Sequence, residues 1–421
     1  MKVKLIYPKW PKLERQTEFN LPPHGPIVFA AALPDYVEVD FVDENMRSFS
    51  YDDPVDMVFI SMMLTSQVKR GWEIADNYRA RGIKVLFGGI STMLHAEETM
   101  QHADSVFMGE AEGHIEEVLE DFRKGQLKKL YNFMNRQPDT SLIGPARRDL
   151  LERDFYYHKG VQMVDLFHAS RGCRFNCYPC AVSFLGGRNF RPRPFDRIAE
   201  ELDTIDNNRL FVVDNTLAQD KEWTKELFRT MIPFKKKWCS HTISDDPEVL
   251  DLAAQAGSWY VYQAVFDTSD YIKERIKRYH DFGISVEGTI LLGMDHQTED
   301  DIKELLDFIR EIDLDLAEFT ILTPFPETKS YDDLLKEGRI FDHDWNHYTA
   351  DKVVFKPKHM SPEKLQELYY YAWDSFYEDE SQEKKMFKLM MKVVEREMED
   401  GTYRPPRKDL MEKSFGHIVD R

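Results

Sequence analysis

A chain of 421 residues, 42% of them hydrophobic, has room for two or three domains at about 100–200 residues each and is too apolar to be disordered or fibrous. Its net charge of −19 argues against a general nucleic-acid binder, which needs a basic face to displace phosphate counterions, though local patches such as Lys235-Lys236-Lys237 remain. No stretch approaches the ~20 apolar residues of a membrane span, and the opening MKVKLIYPKWP loses its apolar run at Pro8, too early for a signal peptide, so a cytoplasmic protein is expected.

Residues 1 to 128 alternate strand and helix patterns. VKLIYP (3–8), VEVDFVDE (37–44), VDMVFIS (55–61), KVLFGG (84–89) and SVFMGE (105–110) read as strands. Between them lie helical patterns at 25–34, at 65–82 with Thr65 or Ser66 as N-cap and Gly82 as stop, near 93–103, and from Ala111 to Lys124. Such alternation predicts an open, doubly wound parallel sheet whose ligands bind in loops at the carboxyl ends of the strands. Those loops are Ser61 to Gln67, Gly88 to Thr92, and Gly109 to Gly113. The last two carry glycines that suit close backbone approach to a large ligand, or simply a tight turn.

Residues 129–160 read as a linker, with prolines, charge and weak periodicity. From 161 to 329 the alternation restarts. Strands are expected at 163–169, 209–214, 237–244, 259–266, 285–293 and 317–323, with helices such as DDIKELLDFIREI (300–312) between them. These βα units predict a parallel barrel, closed or partial, with its site at the carboxyl ends of its strands. Residues 330–421 read as a mainly helical extension, including YDDLLKEGRIFDHDW, SPEKLQELYYYAWDSFY and MFKLMMKVVEREMED. Tyr369, Tyr370, Tyr371 and Trp373 there read as core at helical spacing.

Four cysteines do not make a disulfide scaffold, yet three of them, Cys173, Cys177 and Cys180, stand together in RGCRFNCYPC just after the first barrel strand. A structural zinc site wants four N or S ligands, and a fully ligated iron–sulfur cluster wants four cysteines. Here the fourth would have to be Cys239 or a distant histidine, and Cys239 reads as a small buried hydrophobe. The alternative is a cluster with three cysteine-bound irons and one open iron.

The CxxxCxxC spacing at the end of a first barrel strand resembles the radical S-adenosylmethionine (radical SAM) superfamily. The resemblance implies that Cys173, Cys177 and Cys180 hold a 4Fe–4S cluster whose open iron chelates SAM, and that SAM is cleaved to a 5′-deoxyadenosyl radical. Many members carry an aromatic residue just before the third cysteine, where this chain has Pro179, so either Tyr178 makes that contact or other residues hold the adenine. The same likeness suggests SAM contacts from Asp214 and Asn215 after the second strand, Ser244 after the third, Asp267 after the fourth, Gly288 in the fifth-strand glycine region, and Thr323 after the sixth. Polar strand ends are also common in barrels for no functional reason.

The sheet in front of the barrel resembles the cobalamin-binding domain of the cobalamin-dependent radical SAM subfamily. With ILTPFPET and the C-terminal extension, the likeness spans nearly the whole chain and takes in hopanoid methylases, the anaerobic porphyrin ring cyclase and peptide glutamine C-methyltransferases. It implies cobalamin contacts from Tyr7, His24, Met62, Leu64, Thr65, Ser66, Gln67, Gly88, Gly89, Gly109, Glu110 and Glu112. The Asp-x-His-x-x-Gly motif of histidine-ligating cobalamin domains is absent, so base-off methylcobalamin without a histidine ligand is expected. The implied activity is methylation of an unactivated sp3 carbon, in a protein or peptide residue by preference, with an external one-electron reductant and an oxygen-sensitive cluster. A non-methylating ring cyclase or oxidase, a small-molecule or lipid methylase, and an iron–sulfur electron-transfer protein are the competing readings.

Overall fold

The computed structural model describes residues 1–15 and 20–411. Its first part runs β1 (Lys2–Tyr7), α1 (His24–Ala31), β2 (Glu38–Asp43), β3 (Met57–Ser61), α2 (Val68–Ala80), β4 (Lys84–Gly88), α3 (Ile90–Leu94), α4 (Ala96–His102), β5 (Ser105–Met108), α5 (Ile115–Arg123) and β6 (Leu130–Asn132). The strands form one parallel sheet, ordered β2-β1-β3-β4-β5-β6. Alternate residues feed opposite faces, as a pleat of period two requires. Val58 and Ile60 pack with Ile74 and Tyr78 of α2, while Met57 and Phe59 pack with Ile27 of α1 and Val118 of α5. The strand order switches direction between β1 and β3, which opens a cleft at the carboxyl edge.

Several predicted boundaries shift. The 65–82 helix starts only at Val68, after a 3₁₀ turn over Thr65–Gln67, so neither Thr65 nor Ser66 is its N-cap. The helix near 93–103 breaks at His95 into α3 and α4. β6 lies within residues read as linker and pairs in parallel with β5. Only Tyr131 of its three residues is buried, too little for an apolar pattern to register.

A short hairpin, β7 (Tyr157–His158) with β8 (Val161–Gln162), leads into the second sheet. There follow β9 (Asp165–Phe167), β10 (Ser170–Arg171), α6 (Val182–Leu185), β11 (Arg191–Pro192), α7 (Phe195–Thr204), β12 (Arg209–Val212), α8 (Lys221–Met231), β13 (Lys237–Ser240), α9 (Pro247–Gln255), β14 (Ser258–Ala264), α10 (Asp270–Asp281), β15 (Ser285–Leu292), α11 (Glu299–Glu311) and β16 (Leu316–Ile321). The order β9-β12-β13-β14-β15-β16 is sequential and parallel, and β9 and β16 are left as edges, so the barrel is partial. Its helices are amphipathic: α11 is opened by a Thr298–Asp301 capping box and buries Ile302, Leu305, Leu306 and Ile309.

The extension comprises α12 (Lys329–Lys336), α13 (Pro362–Phe376) and α14 (Gln382–Glu399). The helical reading of YDDLLKEGRIFDHDW fails after Lys336: Gly338 sits at φ +64°, and the chain continues as loop with one 3₁₀ turn at Trp345–His347. The aromatic run divides by helical spacing, with Tyr369 and Trp373 buried and Tyr371 exposed. α14 closes the amino end of the barrel. Leu389 and Val393 pack against Cys239, Trp259, Tyr260 and Leu316, and Glu397 receives a two-pronged bond from Arg209 at 2.9 and 2.8 Å.

Candidate functional site

The three clustered cysteines lie on the loop between β10 and β11, at the carboxyl end of β9. The two short strands pair antiparallel, Ser170 with Pro192 and Arg171 with Arg191, and close the base of the loop. Gly172, at φ +74°, is required there, because a Cβ would lie 2.0 Å from the Asn189 carbonyl oxygen. Side chains from after β12 hold the loop's entry. Gln219 accepts from the Arg174 N–H at 2.9 Å, and Asn215 Nδ2 donates to the Gly172 carbonyl at 3.2 Å.

All three cysteines are free thiols, with Cys173 buried and Cys177 and Cys180 exposed. Desolvation pushes the Cys180 thiol up, the Val182 N–H draws it down, and Cys177 and Cys173 push it up again. The thiols are therefore near enough to repel one another once ionised. Among the described residues no three Cys, His, Asp or Glu side chains converge on a single ion. Each thiolate of a cubane binds a different iron, so an all-sulfur donor set spread in this way fits a 4Fe–4S cluster better than one zinc ion.

Facing the loop is a cavity of about 380 Å³, walled on one side by the carboxyl edge of the N-terminal sheet and on the other by the cluster loop. Ser61, Gly88, Gly89, Gly109, Glu110, Glu112 and His24 line the first wall, and Arg171, Gly172 and Asn215 the second. A Cβ on Gly88 would meet nothing within 4 Å, so its missing side chain leaves room on the cavity side. Gly89 differs: at φ +93°, a Cβ would lie 2.5 Å from the Met62 carbonyl oxygen. A largely apolar, glycine-edged cleft at a switch point suits a bulky planar ligand such as a corrin.

The structure brings together only part of the set expected for cobalamin. Tyr7, Met62, Thr65, Ser66 and Gln67 are buried in the packing under the β3 loop, and Leu64 is half-buried. The Gln67 carboxamide is fully engaged. Its Oε1 accepts from the N–H groups of Met63 and Leu64 at 2.8 and 2.9 Å, and its Nε2 donates to the Pro8 carbonyl at 2.5 Å. This amide shapes the loop from beneath. His24 and His168 border the cavity, but their rings bond to each other, Nε2 to Nδ1, at 2.8 Å. Burial pushes His24 down to about 3, so this pair is neutral near pH 7.

The residues expected near SAM are also dispersed. Asp214 is buried; its carboxylate accepts from the Ala169 N–H at 2.8 Å and from the Ser170 hydroxyl, and so ties β12 to β9. Burial pushes it up to about 6 despite those bonds. Only Asn215 of this group lines the cavity. Ser244 accepts from the Asp246 N–H at 3.3 Å, Asp267 from the Ser269 N–H at 3.0 Å, and the Thr323 hydroxyl donates to the Ile321 carbonyl at 3.1 Å. A Cβ on Gly288 would meet Leu314 at 2.6 Å, on the helix side of β15. Tyr178 is exposed on the cluster loop.

Sequence reasoning did not single out Arg171, Arg191, Arg193, Glu201 or Arg148. Arg171 and Arg191 bond to Glu110 and Glu112 across the cavity wall. Burial would raise the Glu110 carboxyl, but the two guanidiniums outweigh it and hold it low. Behind them, buried Glu201 accepts from Arg148 at 2.8 Å and Arg193 at 2.6 Å. The only available signal was Arg171 itself, two residues before Cys173; its partners are 59 and 61 residues away.

A ligand cleft at the switch point of a parallel sheet, set against a three-cysteine loop at the mouth of a partial parallel barrel, gives one chamber with a sheet edge on one side and thiols on the other. Comparison with known proteins narrows the class. The chain is 27% identical over 367 residues to the bacteriochlorophyllide d C-12(1)-methyltransferase of Chlorobaculum tepidum, covering 81% of this chain and 79% of that protein. It is 26% identical over 368 residues to the hopanoid C-2 methylase of Rhodopseudomonas palustris, covering 79% of this chain and 68% of that one. Its fold matches TsrM, a radical S-adenosylmethionine methyltransferase from Kitasatospora setae solved with cobalamin and a 4Fe–4S cluster bound, at TM-score 0.64 and 15% identity over 87% of this chain and 85% of that one. No protein-family model matches the chain. In sequence the chain is thus similar to C-methyltransferases, and in fold to a cobalamin-dependent radical SAM methyltransferase.

Proposed function

We propose that this chain methylates an unactivated carbon of a small molecule with a large apolar body. The observation that carries the reading is the single cavity shared by the glycine-edged sheet and the cluster loop. When bound, the cluster with SAM supplies a carbon-centred oxidant and the cobalamin supplies a methyl group; the chain's own task is placement. Cys173, Cys177 and Cys180 would hold the cluster, Gly88 and Gly89 would face the corrin, and Asn215 would border SAM. The β3 loop, residues 61–67, contains no histidine, so it would offer no imidazole ligand to cobalt. Residues 1–128 with β6 would form the cobalamin-binding part, 161–329 the barrel, and 330–421 its closure.

The substrate class rests on the rim. Met63 after β3, Ile90 after β4, Phe175 and Tyr178 on the cluster loop, and Phe266 after β14 are exposed at carboxyl ends of strands. Of these Ile90 lines the cavity, and exposed apolar side chains at strand ends favour an apolar ligand. The relatives named above act, by their names, on a tetrapyrrole and a hopanoid, and neither name refers to a peptide. The small-molecule reading therefore replaces the peptide preference drawn from the sequence. Among the described residues no helix is long and apolar enough to cross a membrane; we read the protein as cytoplasmic and fed by an external reductant.

The test is anaerobic reconstitution with iron, sulfide and cobalamin, then incubation with SAM, reductant and one of a chlorin-type tetrapyrrole, a polycyclic triterpenoid or a peptide library. A mass gain of one CH2 on the tetrapyrrole or triterpenoid supports the reading. Gain on peptides alone restores the peptide preference. Deoxyadenosine with no methylated product removes methyl transfer, and no SAM cleavage removes the radical reading.

A further inference from the structure

Direct ties connect the cavity-facing elements of the N-terminal sheet, and the segment that follows it, to the cluster loop and its ribbon. Some are neutral: the bond between His24 and His168, the Gln137 amide donating to the Gly186 carbonyl at 2.8 Å, and the Thr140 hydroxyl donating to the Pro192 carbonyl at 2.7 Å. Another is charged. Arg171 grips both oxygens of Glu112, at 2.7 and 3.0 Å, and reaches Glu110 at 2.7 Å. Arg191 grips Glu110 with both of its terminal nitrogens, one of them at 3.1 Å.

Where these groups sit matters. Both arginines belong to the ribbon that closes the base of the cluster loop, and they are cross-strand partners. Arg171 is followed by Gly172 and Cys173, so its position dictates where the first thiol stands. Both glutamates belong to the loop after β5. Gly109 fixes that loop: at φ +113°, its Cβ would lie 2.9 Å from the Phe133 carbonyl carbon, pinning the turn on the segment after β6. Glu110, Glu112 and Arg171 also line the cavity. Two-pronged guanidinium–carboxylate contacts restrict both distance and orientation, which one hydrogen bond does not.

We propose that Glu110 and Glu112, clamped by Arg171 and Arg191, are positioning residues that set the separation between the corrin face and the iron–sulfur cluster. This rests on the reading of the cavity as the cobalamin site and of the loop as the cluster site. It assigns Glu110 and Glu112 a role other than ligand contact: they act through the arginines on the cluster loop. Methyl transfer to a carbon radical needs two reacting centres held around one atom, and a misplacement of about 1 Å can cost about a hundredfold in rate. A charged four-group clamp between the walls is a physical means of holding that spacing.

The experiment reads geometry rather than turnover. The protein is loaded with both cofactors, and cobalt(II) and the reduced cluster are used as paired spins in electron paramagnetic resonance. Loading is checked by iron content and by cobalamin titration. Wild type is expected to show one resolved spin–spin splitting. Glu112→Gln and the milder Arg191→Lys are expected to load both cofactors and to lose or broaden that splitting, and the exchanged pair Glu112→Arg with Arg171→Glu to recover part of what Glu112→Gln loses. Unchanged splitting in both Glu112→Gln and Arg191→Lys overturns the clamp, as does a variant that keeps the splitting while its loading falls. A wild-type protein that takes up no cobalamin or no cluster instead overturns the functional reading on which the clamp depends.

Discussion

The two ends of the barrel are built differently. At the amino end the buried charges are paired: Arg209 and Glu397 are buried and doubly bonded, and α14 fills the opening with Leu389 and Val393. At the carboxyl end two of the three clustered thiols, Cys177 and Cys180, stand exposed, and Phe175, Tyr178 and Phe266 face solvent. One end is complete as folded. The other is shaped for groups the chain does not itself supply, which is the division expected of a barrel enzyme.

The sharpest way to break this comparison is at the thiols. Cys177→Ala or Cys180→Ala is expected to lower iron after reconstitution to background, while thermal unfolding of the apo chain barely moves, because both side chains are exposed. Substantial iron in either variant would remove the three-cysteine reading. The converse holds at the closed end. Arg209→Ala or Glu397→Ala leaves a buried charge without its counter-ion and is expected to cost about 3–5 kcal/mol in urea denaturation. Iron bound per folded molecule should not change. Replacing both residues with methionine or leucine should restore most of the loss, since a well-packed apolar pair can stand in for a buried ion pair.

Which parts of this contrast could be read in the sequence follows from how local each signal is. The strands were legible because β3 and β15 carry apolar runs, and the cluster loop because CxxxCxxC is contained within eight residues. Glu110 and Glu112 were found as carboxylates of a glycine loop expected at the cobalamin, but their partners Arg171 and Arg191 lie in another sheet, and pairing across 59 to 81 residues leaves no local trace. Asp214 was read as a polar strand end facing SAM; its inward turn depends on the Ala169 N–H, supplied only once β9 and β12 pair. Gly288 was placed by motif likeness, which fixes a position along a strand but not the face it presents.

Gly88 and Gly89 test the cavity more finely, because two adjacent glycines have different reasons to be there. Gly88→Leu projects into open space, so it is expected to weaken cobalamin binding at least about tenfold, equivalent to about 1.4 kcal/mol, with little change in melting temperature. Gly89→Ala meets the Met62 carbonyl and a left-handed backbone, so it is expected to cost about 1–3 kcal/mol of stability. Optical titration and thermal unfolding on the same samples separate the two. If Gly88→Leu binds cobalamin as wild type does, the corrin lies elsewhere.

The smallest expected effect lies inside the barrel, between its two ends. The registers Tyr262 with Glu287 and Thr289 with Glu318 put both carboxylates on one face of the sheet. Burial, with repulsion from Glu318, pushes Glu287 from 4.5 up to about 8. The folded chain thus retains a proton that the unfolded chain releases between pH 4.5 and about 8. Stability drawn from this group falls as pH rises through that window, the reverse of a salt-bridged carboxylate. Glu287→Gln removes the titration. It is expected to stabilise the protein by about 1–2 kcal/mol at pH 8 and by little at pH 5, less than the full shift implies because water reaches Glu318 beside it. Thermal unfolding of both proteins at the two pH values decides the matter. An equal difference at both would mean that Glu287 has found a partner in the interior, and that the inside of the barrel is as complete as its closed end.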